Sequence, residues 1–376
     1  MKICFLLTHI PDPRTNKRID LFKKDHEVFV VCCRRKSQNI WDPDLVSAKY
    51  KIYDIDLPSS QKIFKRYFMS LFFRNKALKD LDDIRPDVIY TEGLDALQTA
   101  ISYKKKHSLK SIFYEVADLR ESYLVKPRSF FRRTIVNLIL NKEKKCFSSV
   151  DYLVLTSMKF YDAHYCRLIK QNHVIYMPNI PDKTVFDDYV KKTSGTFTVG
   201  FIGGIRYLEQ MKMLVDAAEV VGCKVLFAGV GGTTTDFDSI TEYCKNKKGV
   251  VFYGKYDYKK EIASIYGLVD CVYAVYDADN PNVRIALPNK LYESILCRLP
   301  IIVSKGTYLS ELVEKWRVGY SVSHNNPEEL IECLTNLSSK KWMVNFDKAI
   351  YDELDIERFN NNLLSAINGV KTVDLE

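Results

Sequence analysis

Short apolar runs alternate with helix-period patterns along almost the whole chain, and no other feature narrows the fold as much. In the first half the runs are KICFLL, EVFVVC, YKIYDI, DVIYT, SIFYEV, DYLVLT and HVIYM. A second series restarts with FTVGFIG and continues through KVLFAG, GVVFYG, DCVYAVY, PIIVS and GYSV. Apolar runs of strand length alternating with helical patterns indicate βα units and parallel sheets, an α/β class. A chain of 376 residues with 47% hydrophobic content is long enough for two domains with cores of their own. The polar stretch YVKKTSGTF at 189–197 reads as the linker between them, which gives domains over 1–190 and 196–349. A helical tail runs from about 350 to 376.

Charge and cysteine usage narrow the setting. Lysine and arginine outnumber aspartate and glutamate by 56 to 47, and the net charge of +9 favours an anionic partner. No recognition motif points to nucleic acid. No run of about 18 apolar residues occurs, so a bilayer-spanning helix is not expected, and MKICFLLTHIPD is too soon charged for a signal peptide. Ten cysteines lie scattered without a CxxC, several inside apolar runs, as reduced core thiols of a cytoplasmic protein would.

The stretch RIALPNKLYESILCRLP, from Arg284 to Pro300, carries the sharpest chemical signal. It reads as a short helix feeding a buried strand. Pro288 suits the first helical position. Lys290 then falls in the first turn, where the helix dipole disfavours a cation unless an anion sits nearby. Glu293, three residues on, projects to roughly the same side. A phosphate at the helix tip and a ribose one turn along would satisfy both; an ordinary surface Lys–Glu pair is the alternative. Upstream, Gly203 and Gly204 end a strand and are followed by Arg206 and Lys212. Glycines let backbone N–H groups approach a phosphate, and arginine can grip one bidentately. A plain glycine turn with solvated basic residues would look the same.

In order, FTVGFIGGIRYLEQMKMLVDAAE, KVLFAGVGG, VVFYGKYDYKK and the PNKLYE helix resemble the nucleotide-sugar-binding half of the retaining family-4 glycosyltransferases. The opening MKICFLLTHIPDPRTNKRIDLFKKDHEVFVVC resembles that family's first strand, acceptor-side loop and helix. The resemblance implies the GT-B architecture, two Rossmann-like domains with parallel sheets facing across a cleft, the last helix crossing back to the N-terminal domain. It places the donor diphosphate at Gly203, Gly204, Arg206 and Lys212. The base lies against Gly254, Lys255 and Tyr256, and the PNKLYE segment contributes Pro288, Asn289, Lys290, Leu291 and Glu293. The family's E-x(7)-E pattern would need a glutamate at 285, where this chain has Ile285, so only Glu293 carries over. On the acceptor side YEVADLRESY resembles segments of polysaccharide-forming members, making Asp118, Arg120 and Glu121 candidates for catalysis alongside His9 after the first strand and Glu92 in YTEGLDA. Asp277-Ala278-Asp279 spells the metal-binding DxD of a different glycosyltransferase fold. In a GT-B order it reads as a loop coincidence, so no metal and no cofactor are expected.

Two basic-aromatic stretches bear on location. In QKIFKRYFMSLFFRNKALKDL, Ile63, Phe64, Tyr67, Phe68, Leu71 and Phe72 share one helical face, with Lys62, Lys65, Arg66 and Arg74 mainly off it. KPRSFFRRTIVNLILNKEKK, 126–145, is basic at both ends. Such helices suit an anionic membrane surface, or else the stripe faces the core. The resemblance thus leads to a retaining, metal-independent transferase at the inner membrane face. It would take a UDP-sugar by preference, or a GDP-sugar, and serve a lipid-linked or glycan acceptor. A sugar-nucleotide epimerase and a non-catalytic partner in a polysaccharide-assembly complex are the alternatives.

Overall fold

The structure, a computed structural model, describes residues 1–34, 48–55, 63–119, 121–125, 129–192, 195–231, 234–342 and 344–370; of 63, 64, 121, 122, 234 and 235 it describes the backbone alone. The chain divides into two compact units, Met1–Pro178 with Glu357–Glu376, and Asn179–Ile356.

The first unit is built on seven strands: β1 (Lys2–Leu7), β2 (Glu27–Cys33), β3 (Lys49–Tyr53), β4 (Val88–Glu92), β5 (Ser111–Val116), β6 (Tyr152–Leu155) and β7 (Val174–Tyr176). They lie in the order β3-β2-β1-β4-β5-β6-β7 and every pairing is parallel. The second unit has β8 (Thr198–Ile202), β9 (Lys224–Ala228), β10 (Val250–Gly254), β11 (Cys271–Ala274), β12 (Ile301–Ser304) and β13 (Gly319–Val322). Their order is β10-β9-β8-β11-β12-β13, again wholly parallel. All thirteen apolar runs expected to be strands form them. Each sheet steps outward from its first strand and then crosses to that strand's other side, making a switch point at β1/β4 and another at β8/β11. Ligands of such sheets sit beyond the carboxyl ends of the strands at these points.

Helices cover both sheets, as an all-parallel sheet requires. The stretch expected to be the linker is bonded to the second unit: Lys192 N–H donates to the Gly267 carbonyl at 2.9 Å, and Lys191 Nζ to that of Val269 at 2.7 Å. The final helix, Ile356–Gly369, buries Phe359, Leu363 and Ile367, and the Phe359 ring meets Tyr176 edge-on at 5.5 Å. The described cysteines are free thiols, and all but Cys166 are buried.

The long helix Ile63–Ile84 sends Phe73, Ala77, Leu81 and Ile84 into the core, at the spacing of one helical stripe. Tyr67, Phe68 and Phe72 lie off that stripe and are 53%, 63% and 49% exposed. The core-facing alternative therefore does not hold for these three; Lys62 and the Ile63 and Phe64 side chains lie outside the described residues. Arg66, off the apolar face, pairs with Asp95 at 2.7 Å. This two-sidedness has a measurable consequence. Phe73→Ala should lower the unfolding free energy by about 3–5 kcal/mol, while Phe68→Ala should stay within about 0.5 kcal/mol of the parent. Urea unfolding followed by circular dichroism reads both; equal losses would place the stripe in the core.

Candidate functional site

In the second unit the site grows from the end of β8. The chain leaves this strand through Gly203, whose φ of +125° suits glycine alone, and turns again at Tyr207, left-handed at φ +69°. Gly229, at the end of β9, holds φ +123°, and a Cβ there would stand 2.1 Å from the Gly203 carbonyl oxygen. The two strand ends can approach this closely only because Gly229 lacks a side chain. A Cβ on Gly203 would lie in contact with Lys290 Nζ at 3.4 Å, which places the lysine head against this turn.

Lys290 reaches this point from the helix Asn289–Leu296. The helix starts one residue later than expected: Pro288 is its N-cap, with extended backbone at ψ 153°, and offers no capping side chain. Lys290 is buried, with its Nζ 4.2 Å from the centre of the Phe201 ring, 5.2 Å from that of Tyr276, and 2.9 Å from the Tyr276 hydroxyl. Desolvation pulls it down to about 7; Glu293 pushes the other way without restoring it, and Arg206 adds repulsion. A lysine near neutral pH that faces aromatic rings and a phenol instead of a carboxylate is poised to take an anion.

Glu293, one turn along, is also buried, and the two residues make no ion pair, so the surface-pair alternative fails. Its Oε1 accepts from Tyr258 at 2.7 Å and its Oε2 from Tyr266 at 2.6 Å. Burial first and then the carboxylate hold both phenols far above their ordinary range, so both stay protonated donors. Tyr256 is likewise raised by burial and by Glu293, which brings the Gly254–Tyr256 loop to the same carboxylate. Tyr258 and Tyr266 were not foreseen, although YDYKKEIASIYG shows the tyrosines plainly. Leu291 is core, and Asn289 Oδ1 accepts from Asn179 Nδ2 at 2.7 Å. Gly204 and Arg206 are exposed at the mouth, as is Lys255. Lys212 points elsewhere: it pairs with Glu209 at 2.9 Å and lies 5.6 Å over the Tyr243 ring.

The DxD residues have a partner that the sequence did not announce. Asp277 Oδ1 and Asp279 Oδ2 stand 3.4 and 3.6 Å from His324 Nε2, and the three ligand atoms lie within 4.8 Å of one another. Their donor set suits a divalent ion, but Asp279 is 78% exposed and also faces Arg284 at 3.7 Å.

The first unit gathers charge past β1 and β4. Asp12 caps the helix Pro13–Phe22, accepting from Thr15 N–H at 2.7 Å, with Pro13 in its first turn. Arg14 projects from that turn into the interior. It donates to Glu115 Oε1 at 2.9 Å, to both Glu92 oxygens at 2.9 Å and to Asp12 at 3.1 Å. Arg18 Nη2 lies 3.5 Å from Glu115, whose other oxygen accepts from the Tyr90 hydroxyl. Burial works against the Arg14 charge, but Glu115, Glu92 and Asp12 outweigh it and hold the guanidinium protonated. Burial would also raise Asp12; Arg14 and the Thr15 bonds win, and its carboxyl stays below the usual range. His9 Nε2 lies 3.8 Å from Glu92, and Asp118 lines the same cavity. Arg120 and the Glu121 side chain lie outside the described residues. The sequence reading missed Arg14 and Glu115, although a charge inside SIFYEV was a visible signal.

With both sites described, similarity to known proteins can be read against them. Residues 196–340 match the family described as Glycosyl transferases group 1. The succinoglycan biosynthesis protein ExoL of Rhizobium meliloti is 22% identical over 272 residues, 68% of this chain and 64% of that relative, so the chain spans just under two thirds of its length. Sucrose-phosphate synthase from Thermosynechococcus elongatus superposes at a TM-score of 0.74 with 14% identity, over 99% of this chain and all of that one. HepE from Anabaena, in complex with UDP-glucose, superposes at 0.70 with 16% identity, over 98% and 100%. The fold is GT-B, and residues 196–340 of the second unit are similar to the group 1 glycosyl transferases.

The buried lysine makes anion binding depend on pH. An anion beside Lys290 favours its ammonium form, whose supply falls once the pH passes about 7. Sulfate keeps its charge through this range, so its affinity should be flat below that pH and fall by up to about tenfold per unit above it. Lys290→Gln should bind weakly at every pH. Calorimetric titrations that show the wild type indifferent to pH would remove Lys290 from the anion site.

Proposed function

We propose that the protein is a retaining glycosyltransferase. It transfers a sugar from a nucleotide-diphosphate sugar, a UDP-sugar by preference and a GDP-sugar as the lesser choice, to a lipid-linked or glycan acceptor in surface-polysaccharide biosynthesis. One observation carries this reading: Lys290 is buried against Gly203 with no carboxylate on it, at the switch point of a group 1 glycosyl transferase domain. The name of ExoL supports the biosynthetic setting and the UDP-glucose complex of HepE supports the donor class.

The chemistry follows from charge. As the bond from the anomeric carbon to the diphosphate oxygen breaks, negative charge grows on the leaving group. Lys290, Arg206 and the first-turn N–H groups of Asn289–Leu296 stabilise it from fixed positions. The acceptor oxygen attacks the same face, and its proton passes to the departing phosphate oxygen, so no protein nucleophile is required. Glu293 receives a ribose hydroxyl: each of its oxygens already takes one phenol and has a lone pair left. The cations and the helix end do the electrostatic work, so the reaction is metal-independent and Asp277 is dispensable.

A panel of UDP- and GDP-sugars scored for binding and slow hydrolysis tests the proposal directly. Glu293→Gln keeps the shape and one acceptor for the two phenols, and should weaken UDP binding by about tenfold or more, the value of one charge-assisted hydrogen bond. Unaltered binding would withdraw the ribose assignment. EDTA and Asp277→Ala should leave transfer unchanged; an enzyme silenced by EDTA and revived by manganese would restore the DxD reading.

The protein works on the cytoplasmic side, peripheral to the inner membrane face. Among the described residues no helix is long and apolar enough to cross a membrane. Exposed apolar side chains lie on two helices, Tyr67, Phe68 and Phe72 beside exposed Lys65 on one, and Phe130, Phe131 and Leu138, 81%, 67% and 63% exposed, with exposed Arg132, Arg133, Lys144 and Lys145 on Phe130–Phe147. Each cation near an anionic surface adds about 1 kcal/mol. The protein should sediment with anionic vesicles and release at high salt. Phe68→Ala should lose vesicle binding while keeping its melting temperature; indifference of binding to that change would leave the patch without a lipid role.

A further inference from the structure

We infer that the cavity of the first unit is a binding site for an uncharged sugar ring, with Glu143 as the carboxylate that accepts its hydroxyls. The inference deepens the proposed function, since it supplies the chemistry of the acceptor end.

Three features lead there. The cavity holds about 240 Å³, below the ~300–1,000 Å³ typical of drug-sized ligands and suited to something small. Among the described residues its lining carries four carboxylates, Asp12, Glu92, Asp118 and Glu143, and one cation, Arg14. That cation is committed inward to Asp12, Glu92 and Glu115 and has little left for a ligand. An anion, such as a phosphate, would meet net repulsion at low dielectric; a ligand that brings donors and no negative charge would not.

Glu143 supplies the acceptor. It comes from just before the last turn of the basic helix Phe130–Phe147, is 1% exposed, and is held through Oε2 by His164 Nε2 at 3.0 Å. His164 is itself fixed by stacking on Tyr123, with ring centres 4.5 Å apart. The other oxygen, Oε1, is buried without any hydrogen-bond partner. A buried acceptor without a donor is a destabilising feature in the free protein, which a ligand hydroxyl would remove. Tyr123 and Tyr165 line the same cavity and supply aromatic surface for the apolar face of a sugar.

Saturation-transfer NMR with methyl α-glucoside, methyl β-galactoside and methyl α-mannoside tests the site on the full chain. At least one glycoside should bind, and should stay bound with the protein saturated in UDP or sulfate. Glu143→Gln should weaken that glycoside by about tenfold or more, leave UDP affinity intact, and keep or raise the melting temperature. A group kept only for structure would do the reverse: a lower melting temperature with unaltered glycoside affinity would overturn the proposal. So would binding of none of the three, displacement of the glycoside by UDP, or clear preference for glucosamine, which would mark the site as an ammonium binder. Should Glu143→Gln fail to fold, Glu143→Asp withdraws the acceptor by one methylene while keeping its charge, and must show the same loss. Because UDP is titrated separately, its failure to bind would sink the donor reading and leave this one standing.

Discussion

Parallel strands set the terms for everything else in this protein. Both sheets are covered by helices, and the buried charges of the two candidate sites gather at or just past the carboxyl ends of strands or on the helices that follow them. The units solve the resulting desolvation problem in opposite ways. In the first, Arg14 is pulled in by Glu115, Glu92 and Asp12, so every charge meets another. Removing one member of such a cluster strands the rest, which makes it rigid. In the second, Lys290 is buried against two aromatic rings and a phenol with no carboxylate in contact. The first arrangement holds a shape; the second leaves a charge to be satisfied by something from outside.

That difference has an energetic meaning. Each unit of pKa shift corresponds to about 1.4 kcal/mol between protonation states. A lysine brought from 10.5 to about 7 therefore holds interaction energy that any anion in the pocket can recover. Backbone geometry shapes the place: Gly203 holds φ +125°, and Gly229 must lack a Cβ for its strand end to close on the Gly203 carbonyl. Strain and desolvation of this kind survive in a fold because ligand binding is selected together with stability.

Period and composition were enough to read the sheets, since a buried parallel strand is an uninterrupted apolar run and this chain has thirteen of them. The first-turn lysine at 290 and the acid at 293 were legible too, as a cation at the wrong end of a helix dipole asks for an anion. Partners were not legible. Nothing local tells that Tyr258 and Tyr266 converge on Glu293, that Lys212 turns to Glu209 and Tyr243, or that Arg66 is taken by Asp95. The long aromatic helix shows the same limit. Its apolar residues cover more than one face, and only the packing of Phe73, Ala77 and Leu81 decides which stripe is core. Glu143 was hidden by its surroundings, a lone acid in a run of lysines that looks like an exposed helical face.

The absent acid at 285 gains its meaning from these partners. The resembled motif offers two carboxylates to the donor site, and here one is replaced by Ile285 while the other, Glu293, is already bonded to two phenols. The Glu293 charge still acts on Lys290 without restoring its ordinary value, and Arg206 opposes it. With isoleucine at 285 and Glu293 held by Tyr258 and Tyr266, Lys290 is left to bond to the Tyr276 hydroxyl and to face the Phe201 ring.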